Sequence, residues 1–405
     1  MIELTAKTEP GARLVALAEE FAADFAARAG AHDRDATYPF AHIEALRSAG
    51  YFAAPIPPEL GGMGVASVHD LLVAESRLAR GDASLAIGVN MHMTVLRNIV
   101  RRYETAVAAG NARRAKRFAG SLEDLARERA VIATAVSEPG QDLTRPATTA
   151  TRTESGWRLD GRKIFCTMSP AATVIYTAVA FSDGERGDRY GYARVPSGAP
   201  GVVVHNDWDA LGMRASGSHS VSFEGVELPE SALRGGFATG DALPYMESNL
   251  TAGLFHASAS LGIAESAQDS ATAMVARRGA GADGRDRMLV AESAIELAAC
   301  RAALAHTATL IDEHYAADPT GDGDPDGLTP LFTATQATKT HINEAAVRIV
   351  DRALALSGGA GYLNGSPLAR AYRDVRAGAF MHPLGANRAY DFIGRVALGD
   401  EPSLH

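Results

Sequence analysis

The spacing of apolar residues divides the chain into a helical part, a strand-rich part and a second helical part. From residue 12 to about residue 130, apolar side chains recur every three or four positions, as Val15, Phe21 and Phe25 illustrate. This spacing places them on one face of a helix. A Gly- and Pro-rich segment at residues 55–64 interrupts the pattern and predicts a loop. We therefore predict an N-terminal helical domain over residues 1–130.

The pattern changes to alternation near Val131 and continues so to about Leu233. Valines, threonines and aromatic residues alternate with polar ones, and Gly, Pro or Asp recurs at strand-length intervals. Such alternation is typical of half-buried strands. Residues 157–164 predict two short strands around an Asp-Gly turn, and residues 221–229 predict a closing strand pair. We predict a β-barrel or β-sandwich over residues 131–235.

Helical spacing returns after Phe237 and predicts four long helices: Leu254–Arg277, Met288–Tyr315, Phe332–Ser357 and Leu384–Leu398. They would form a four-helix bundle over residues 236–405, which makes the fold class α+β and multidomain. The acidic segment 318–330 begins like a calcium loop. Thr333, however, occupies the position that needs a bidentate Glu, so we predict a solvated loop and no metal site.

Composition and charge narrow the class of protein. Of the 405 residues, 46% are hydrophobic and 21% are charged, which is typical of a globular protein in water. The net charge of −9 argues against nucleic acid or an anionic membrane as a partner. No apolar run approaches the roughly 20 residues that cross a bilayer, and no N-terminal signal peptide is evident. Cys166 and Cys300 are too few for a disulfide framework, so we expect a cytoplasmic location.

Three motifs carry a resemblance to a known family. The first joins a Ser-Glu-Pro-Gly turn at residues 137–140 to a β-segment that ends in Phe-Cys-Thr at 165–167. The second is Leu-Gly-Met-Arg-Ala-Ser at 211–216, ahead of Phe-Glu-Gly-Val at 223–226, and the third is Gly-Gly-Ala-Gly-Tyr at 358–362. In this order and spacing they resemble the acyl-CoA dehydrogenase superfamily over nearly the whole chain. The resemblance implies that family's fold and a flavin cofactor, FAD or alternatively FMN.

The resemblance also assigns cofactor contacts. By it, Phe165 forms the aromatic wall of the flavin site, Thr167 supplies a hydroxyl contact, and Ser137 contacts the flavin ring or phosphate. The family's phosphate-contacting segments, which lie across a subunit boundary, match four residues: Arg277, Gly358, Gly359 and Gly361. Ala355 stands where the family commonly has a glutamine that contacts the dinucleotide, so FMN is the alternative to FAD. Each residue also has a structural alternative. Phe165 would be a core aromatic, Thr167 an edge-strand residue and Ser137 a serine that caps its own turn. The glycines would end a helix.

The sequence departs from the family at the catalytic base. Acyl thioester dehydrogenation needs a carboxylate to take the α-proton while hydride leaves the β-carbon. By resemblance, His382 stands where most members carry that Glu, and Ala252 fills the slot that a minority use. A histidine there is similar to the flavin-dependent monooxygenase branch. His92 is a second candidate catalytic residue, with a satisfied core histidine as the alternative, and Arg214 and His256 are candidate substrate contacts.

Three functions follow from the resemblance. A flavin-dependent monooxygenase that uses reduced flavin and O2 is favoured. The alternatives are a dehydrogenase of acyl-CoA or acyl-carrier-protein thioesters and a non-catalytic flavin-binding scaffold. The chain would act on a small molecule as a homo-oligomer, a dimer or a tetramer. It would exchange electrons with a flavin reductase or an electron-transfer flavoprotein.

Overall fold

The N-terminal region of the computed structural model is helical. The structure describes residues 3–140, 142–233, 236–279, 283–321 and 325–404. The first helices are α1 (Glu9–Asp35), α2 (Phe40–Ser48), α3 (Val68–Gly81), α4 (Ala83–Ala108) and α5 (Ala112–Arg127). Side-chain oxygens of Thr8, Ser67 and Asp82 accept backbone N–H bonds in the first turns of α1, α3 and α4. Such caps satisfy donors that a helix start leaves open, so the sequence sets these boundaries locally.

The strands follow and form one sheet. They are β1 (Ile132–Ala135), β2 (Thr149–Arg152), β3 (Gly156–Cys166), β4 (Val174–Ser182), β5 (Asp188–Pro196), β6 (Val202–Val204), β7 (His219–Pro229) and β8 (Phe237–Ala238). The order is β6-β7-β3-β2-β4-β5-β8, and β1 pairs in parallel with β4. The sheet buries its own apolar core, which includes Leu159, Val179 and Val221. Because β8 pairs with β5, strand pairing extends past residue 235.

The Asp-Gly signal at residues 160–161 does not turn the chain. β3 continues through it and pairs with β7, and the register shifts between Leu159 and Asp160. A Cβ on Gly161 would lie 2.4 Å from Thr148 Oγ1, so close packing explains the glycine. The hairpin predicted at 157–164 and the strand pair predicted at 221–229 are therefore wrong, since each segment is part of one strand.

The C-terminal region is helical again, with three long helices. Its elements are α6 (Leu243–Ser248), α7 (Ala252–Arg278), α8 (Gly284–Ala317), α9 (Pro325–Ser357), α10 (Gly359–Tyr362), α11 (Pro367–Asp374) and α12 (Ala386–Leu398). α7 packs against α3, α8 and α9, so the bundle shares a core with the N-terminal helices, as Leu72, Phe255 and Ile349 show. The predicted fold class is confirmed, and the four predicted helical segments correspond to α7, α8, α9 and the shorter α12.

The acidic segment between α8 and α9 is shorter than predicted. α9 begins at Pro325 and contains Pro330, so the loop predicted over residues 318–330 is wrong in its second half. Asp322 and Asp324 of the calcium-like motif lie outside the described residues. Among the described residues, no group of three His, Cys, Asp or Glu side chains is placed to hold a metal ion. In the same part of the chain, every helix is too short or too polar to cross a membrane.

Candidate active site

Phe165 is presented by an irregular end of β3. The register between β3 and β7 shifts between Lys163 and Cys166, and Phe165 has a φ of 56°. A bulge of this kind turns a side chain away from the sheet, and 59% of the Phe165 side chain is exposed. The Trp208 ring packs edge-on against it, with ring centroids 6.0 Å apart at 82°. The result is an aromatic face that is open to a planar ligand.

Three hydroxyl groups, which we call the hydroxyl cluster, lie beside this aromatic face. Thr167 Oγ1 is 2.9 Å from Ser218 Oγ, which is 2.7 Å from Ser216 Oγ. The Met168 N–H donates to the Ser216 carbonyl at 3.0 Å and holds the two segments together. Hydroxyls both donate and accept, so the row can supply Thr167 with a proton or take one up. Ser216 and Ser218 had no role in the sequence prediction, although they lie in the motif that contains Arg214.

The Ser137 turn is held against the same strand by a buried ion pair. Ile164 N–H donates to the Ser137 carbonyl at 2.9 Å. One residue later, Glu138 accepts hydrogen bonds from Lys163 Nζ and Thr148 Oγ1, each at 2.6 Å, and both charged groups are buried. These contacts place the turn next to the end of β3.

The aromatic face, the hydroxyl cluster and the turn together fit a flavin. An isoalloxazine ring needs a flat apolar wall and hydrogen-bonding groups at its edge. The exposed ring of Phe165 provides the wall, and Thr167 provides a hydroxyl directly after it. Ser137, Phe165 and Thr167, which come from two segments of the chain, are thus brought together beside the end of β3.

The end of α7, which contains Arg277, lies beside the glycine turn at the end of α9. Arg278 Nη2 donates to the Leu356 carbonyl and connects the end of α7 to the end of α9. The turn that follows has Gly358 at a φ of 62°, which suits glycine, and Gly359 and Gly361 belong to the short α10. The two predicted phosphate segments are therefore neighbours in one chain. They belong to the bundle, whereas Phe165 and Thr167 belong to the β-domain.

His382 lies between α11 and α12, and its Nε2 atom is fixed. Nε2 is 3.1 Å from Asn249 Oδ1 and 3.1 Å from the Tyr245 hydroxyl. The Asn249 amide nitrogen donates to the Tyr245 carbonyl at 2.8 Å, so its Oδ1 is the atom left to accept from His382. Asn249 therefore favours the tautomer that carries its proton on Nε2 and a lone pair on Nδ1.

Lys339 fixes the loop that carries His382. Its Nζ donates to the Leu384 carbonyl at 2.6 Å and to the Met381 carbonyl. Burial lowers the pKa of Lys339 to about 7. Burial and, second, the Lys339 charge lower the pKa of His382 to about 3. His382 is therefore a neutral imidazole, and it takes a proton only from a group that becomes strongly acidic. Sequence reasoning missed Lys339, because a lysine in a helical stripe is typical of a solvated surface.

Neither Ala252, in the slot that a minority of the family use, nor the nearby acidic residue Glu247 offers a free carboxylate to this loop. Ala252 is the first residue of α7 and is buried. The Glu247 carboxylate is engaged by His314, whose Nε2 lies 3.1 Å away. His382 is therefore the candidate proton-transfer group of this loop.

His256 lies in the bundle interior and pairs with Asn90. The Asn90 amide is 3.2 Å from His256 Nδ1, and both residues are buried. Burial, followed by the charges of Lys339 and His382, moves the pKa of His256 well below its usual value. His256 is thus a second neutral imidazole near the His382 loop.

His92 and Arg214 connect parts of the fold. His92 Nε2 lies 2.7 Å from the Phe52 carbonyl, and its Nδ1 accepts from the Ile132 N–H at 3.0 Å, so both ring nitrogens are occupied. This arrangement corresponds to the satisfied core histidine that was the alternative for His92. Arg214 Nε donates to the Asp33 carbonyl at 2.8 Å and ties the segment before β7 to α1.

Family models match three successive parts of the chain. They describe the N-terminal domain of acyl-CoA dehydrogenase over residues 8–107, the middle domain over residues 133–226 and the C-terminal domain over residues 254–383. The three matches follow the helical, strand-rich and helical order of the fold.

Similar proteins include enzymes named amino sugar nitrososynthases. DnmZ of Streptomyces peucetius is 35% identical over 404 residues, which cover 97% of this chain and 95% of the relative. RubN8 of Streptomyces rubradiris is 36% identical over 405 residues, which cover 98% and 92%. Among solved structures, KijD3 in complex with FMN and dTDP-3-amino-2,3,6-trideoxy-4-keto-3-methyl-D-glucose has a TM-score of 0.88. It is 30% identical, and the match covers 98% of this chain and 96% of that one.

Proposed function

The chain belongs to the acyl-CoA dehydrogenase superfamily and is a flavin-dependent monooxygenase of that fold, and we propose that it oxygenates the amino nitrogen of a nucleotide-linked amino sugar. The observation that carries the proposal is the neutral His382, which Tyr245 and Asn249 hold at the position where most members carry a Glu, while Ala252 fills the slot that a minority use. The similarity to amino sugar nitrososynthases supports the substrate class.

We propose FMN as the cofactor within the flavin class. KijD3 was crystallised with FMN, and Ala355 lacks the amide that would contact a dinucleotide. The Phe165 face, Thr167 Oγ1 and the Ser137 turn would hold the isoalloxazine. A bound reduced flavin supplies two electrons and activates O2, so that one oxygen atom can pass to the substrate.

His382 would manage the proton that the substrate releases. When the lone pair of a primary amine forms its N–O bond, the nitrogen becomes positively charged and must lose a proton. Nδ1 of His382 carries a lone pair in the tautomer that Asn249 favours, so it can accept this proton as the nitrogen becomes acidic. Overall, amine, O2, two electrons and two protons give hydroxylamine and water. A second round with the same inputs gives the nitroso sugar and two waters.

The surroundings of His382 also favour a reactive amine. Only an uncharged amine has a lone pair to attack oxygen. The Lys339 cation disfavours a second positive charge nearby, and burial of the site has the same effect. A bound amine would therefore lose its own proton more easily here than in water.

Arg102 supports a substrate that carries a diphosphate. It lies beside Tyr176 and Tyr192, and burial is the main cause of its lowered pKa. Among the described residues, its guanidinium has no carboxylate or carbonyl partner. Tyr192 hydrogen-bonds Asn249, which in turn contacts His382, so the two side chains connect Arg102 to the His382 site. A guanidinium without a partner suits a phosphate group, which it can contact with two parallel hydrogen bonds.

We further propose that the protein works as a homo-oligomer, a dimer or a tetramer. Large apolar side chains of the C-terminal region are exposed: Ile295, Tyr362, Leu363, Phe380 and Leu398. Exposed apolar surface of this kind favours contact with a second copy. A flavin reductase is the proposed electron donor, because the reaction consumes reduced flavin in every round. The free, buried cysteines Cys166 and Cys300 are compatible with a cytoplasmic location.

Two flavin experiments test this function against acyl thioester dehydrogenation. In the first, oxidised FMN-loaded protein is mixed anaerobically with octanoyl-CoA, and we expect the flavin absorbance to stay unchanged. In the second, reduced protein receives oxygenated buffer with a dTDP-linked 3-amino sugar, and we expect the hydroxylamine as the product of this single round, since the nitroso sugar needs a second supply of reduced flavin. Rapid bleaching by octanoyl-CoA with accumulation of the 2-enoyl product would identify a dehydrogenase instead.

A further inference from the structure

The Asn90–His256 pair is buried but incompletely hydrogen-bonded. Asn90 is 0% exposed and His256 is 4% exposed. They contact each other at 3.2 Å across the interface of α4 and α7. The second polar atom of each residue, Asn90 Oδ1 and His256 Nε2, has no hydrogen-bond partner within the described residues. Leaving such atoms unpaired is costly in a protein interior, so a missing partner is expected.

The pair offers one donor and one acceptor, whichever way its protons are arranged. If the Asn90 amide nitrogen donates to His256 Nδ1, then Nε2–H is a free donor and Asn90 Oδ1 a free acceptor. If the amide is turned over and its oxygen accepts from Nδ1–H, then Nε2 is the acceptor and the amide N–H the donor. Both arrangements suit a group that can donate and accept at once.

The pair lies between the flavin side of the molecule and the His382 loop. On α4, Gly88 packs against Met168, the residue after Thr167, since an added Cβ would lie 3.3 Å from the Met168 Cβ. On α7, Gly253 lies one turn before His256, and an added Cβ there would lie 3.2 Å from Lys339 Cδ and 3.5 Å from Pro383 Cδ. Asn90 thus follows the glycine that packs near Thr167, and His256 follows the glycine that packs against Lys339 and the His382 loop.

We propose that Asn90 and His256 form a substrate subsite that binds a hydroxyl or an uncharged amino group on the sugar. This inference rests on the proposed function and specifies which residues recognise the substrate. A hydroxyl or neutral amine matches the donor and the acceptor together. An ammonium group has no lone pair for the donor, and an acyl methylene can satisfy neither atom. The subsite therefore selects a polar ring in a place where an acyl chain would leave both polar atoms unpaired.

The test is a binding titration of the oxidised FMN-loaded protein, followed by flavin absorbance and calorimetry. The ligands are a dTDP-linked 3-amino sugar, its 3-deamino analogue and its 4-deoxy analogue. We expect the parent sugar to bind His256→Leu roughly 10–100-fold more weakly than the wild type. We expect His256→Gln, which keeps a donor and an acceptor, to recover most of this loss. FMN affinity should stay the same in both variants.

The analogues identify which substrate group the pair binds. One analogue should bind the wild type about 10–100-fold more weakly than the parent, and that penalty should disappear in His256→Leu. Loss with the 3-deamino analogue assigns the amino group, and loss with the 4-deoxy analogue assigns the hydroxyl. Ser76→Ala is the control, because Ser76 is a buried polar residue on α3 whose hydroxyl already donates to the Val73 carbonyl at 2.8 Å.

Two results would overturn the assignment, and they have different meanings. If His256→Leu and Asn90→Leu bind the parent sugar as tightly as the wild type, the subsite is wrong while the proposed function stands. If the wild type binds none of the three sugars, the proposed substrate class is wrong, and the assignment is wrong with it.

Discussion

The region around Phe165 in the β-domain and the region around His382 in the bundle differ in how their polar groups are paired. Around Phe165, the polar groups are mutually satisfied, as the hydroxyl cluster and the Glu138–Lys163 ion pair show. Around His382, a cation without a carboxylate partner among the described residues lies close to neutral histidines, and Asn90 and His256 keep unpaired atoms. The first arrangement suits a cofactor that stays in place. The second suits a substrate that comes and goes, because it supplies the missing hydrogen bonds.

This difference means that the substrate can change without a change in the flavin site. The flavin-side contacts all lie within the β-domain, around the end of β3, the Ser137 turn and the segment before β7, whereas the bundle contacts come from α4, α6, α7, α9 and the loop before α12. A family resemblance carried by the β-domain therefore predicts the cofactor and leaves the reaction open. The following variants separate the two regions.

The largest effect is expected for His382→Ala. Turnover of the amino sugar should fall roughly 10²–10⁴-fold, because the proton that leaves the substrate nitrogen loses its proposed acceptor. FMN affinity should stay the same, since the contacts of His382 are to Tyr245 and Asn249. Steady-state kinetics and flavin titration measure the two quantities. His306→Ala, an exposed histidine on α8, is the control, and full activity of His382→Ala would refute the assigned role.

His92→Leu should show the opposite behaviour. It leaves the Phe52 carbonyl and the Ile132 N–H without their partners, so the free energy of unfolding should fall by about 2–4 kcal/mol. Turnover per folded molecule should change little, because both ring nitrogens serve the fold. Urea denaturation and active-site titration check these expectations. A stable but inactive variant would place His92 in the reaction instead.

The stability of the wild type should also depend on pH through His92. Burial lowers the pKa of His92 to about 4 from an ordinary value of 6.5. Between these values the unfolded chain binds the proton and the folded chain does not, so stability falls as the pH falls from 6.5 to 4. The contribution of His92 is at most about 3 kcal/mol. His42 and His382 shift in the same direction, so the difference between wild type and His92→Leu isolates the effect.

The pH dependence of stability in wild type and His92→Leu tests whether folding lowers the pKa of His92. Urea midpoints at several pH values should converge for wild type and His92→Leu as the pH approaches 4. Parallel curves would mean that the His92 pKa is not lowered by folding.

The smallest effect is expected for Phe165→Ala. Loss of the aromatic wall should weaken FMN binding about 3–10-fold, in line with aromatic stacking of about 0.5–1.5 kcal/mol. Flavin fluorescence quenching measures this affinity. Phe40→Ala is the control, because Phe40 is also an exposed phenylalanine but lies on α2. Unchanged FMN affinity would show that the aromatic face of β3 is not the flavin wall.

The sequence predicted the fold well where a signal is repeated over many residues. The periodicity of α7, α8 and α9 extends over several turns, so their presence was predicted correctly. The Asp160-Gly161 signal is a single dipeptide, and a bulge in β3 uses it as readily as a turn does. The pairing of β3 with β7 determines that a bulge forms here and not a turn. This pairing joins distant residues, so a short stretch of sequence does not reveal it.

The candidate site was predictable only in part, for a related reason. Phe165 and Thr167 lie two residues apart at the end of one strand, so a motif can include both. His382 was found through its motif, but Asn249, which orients it, lies 133 residues earlier in the chain. The contacts of Lys339 are equally hidden from the sequence, because its partners are distant backbone carbonyl groups, which every residue has. Long-range hydrogen bonds of this kind leave no local pattern.

The most direct test of the account is oxygen transfer to an amino sugar. FMN-loaded protein, a flavin reductase and its nicotinamide substrate are incubated with a dTDP-linked 3-amino sugar under ¹⁸O2, and the products are analysed by mass spectrometry. We predict a hydroxylamine and then a nitroso sugar whose new oxygen carries the label. Unlabelled or unchanged sugar, with O2 reduced only to hydrogen peroxide, would contradict it.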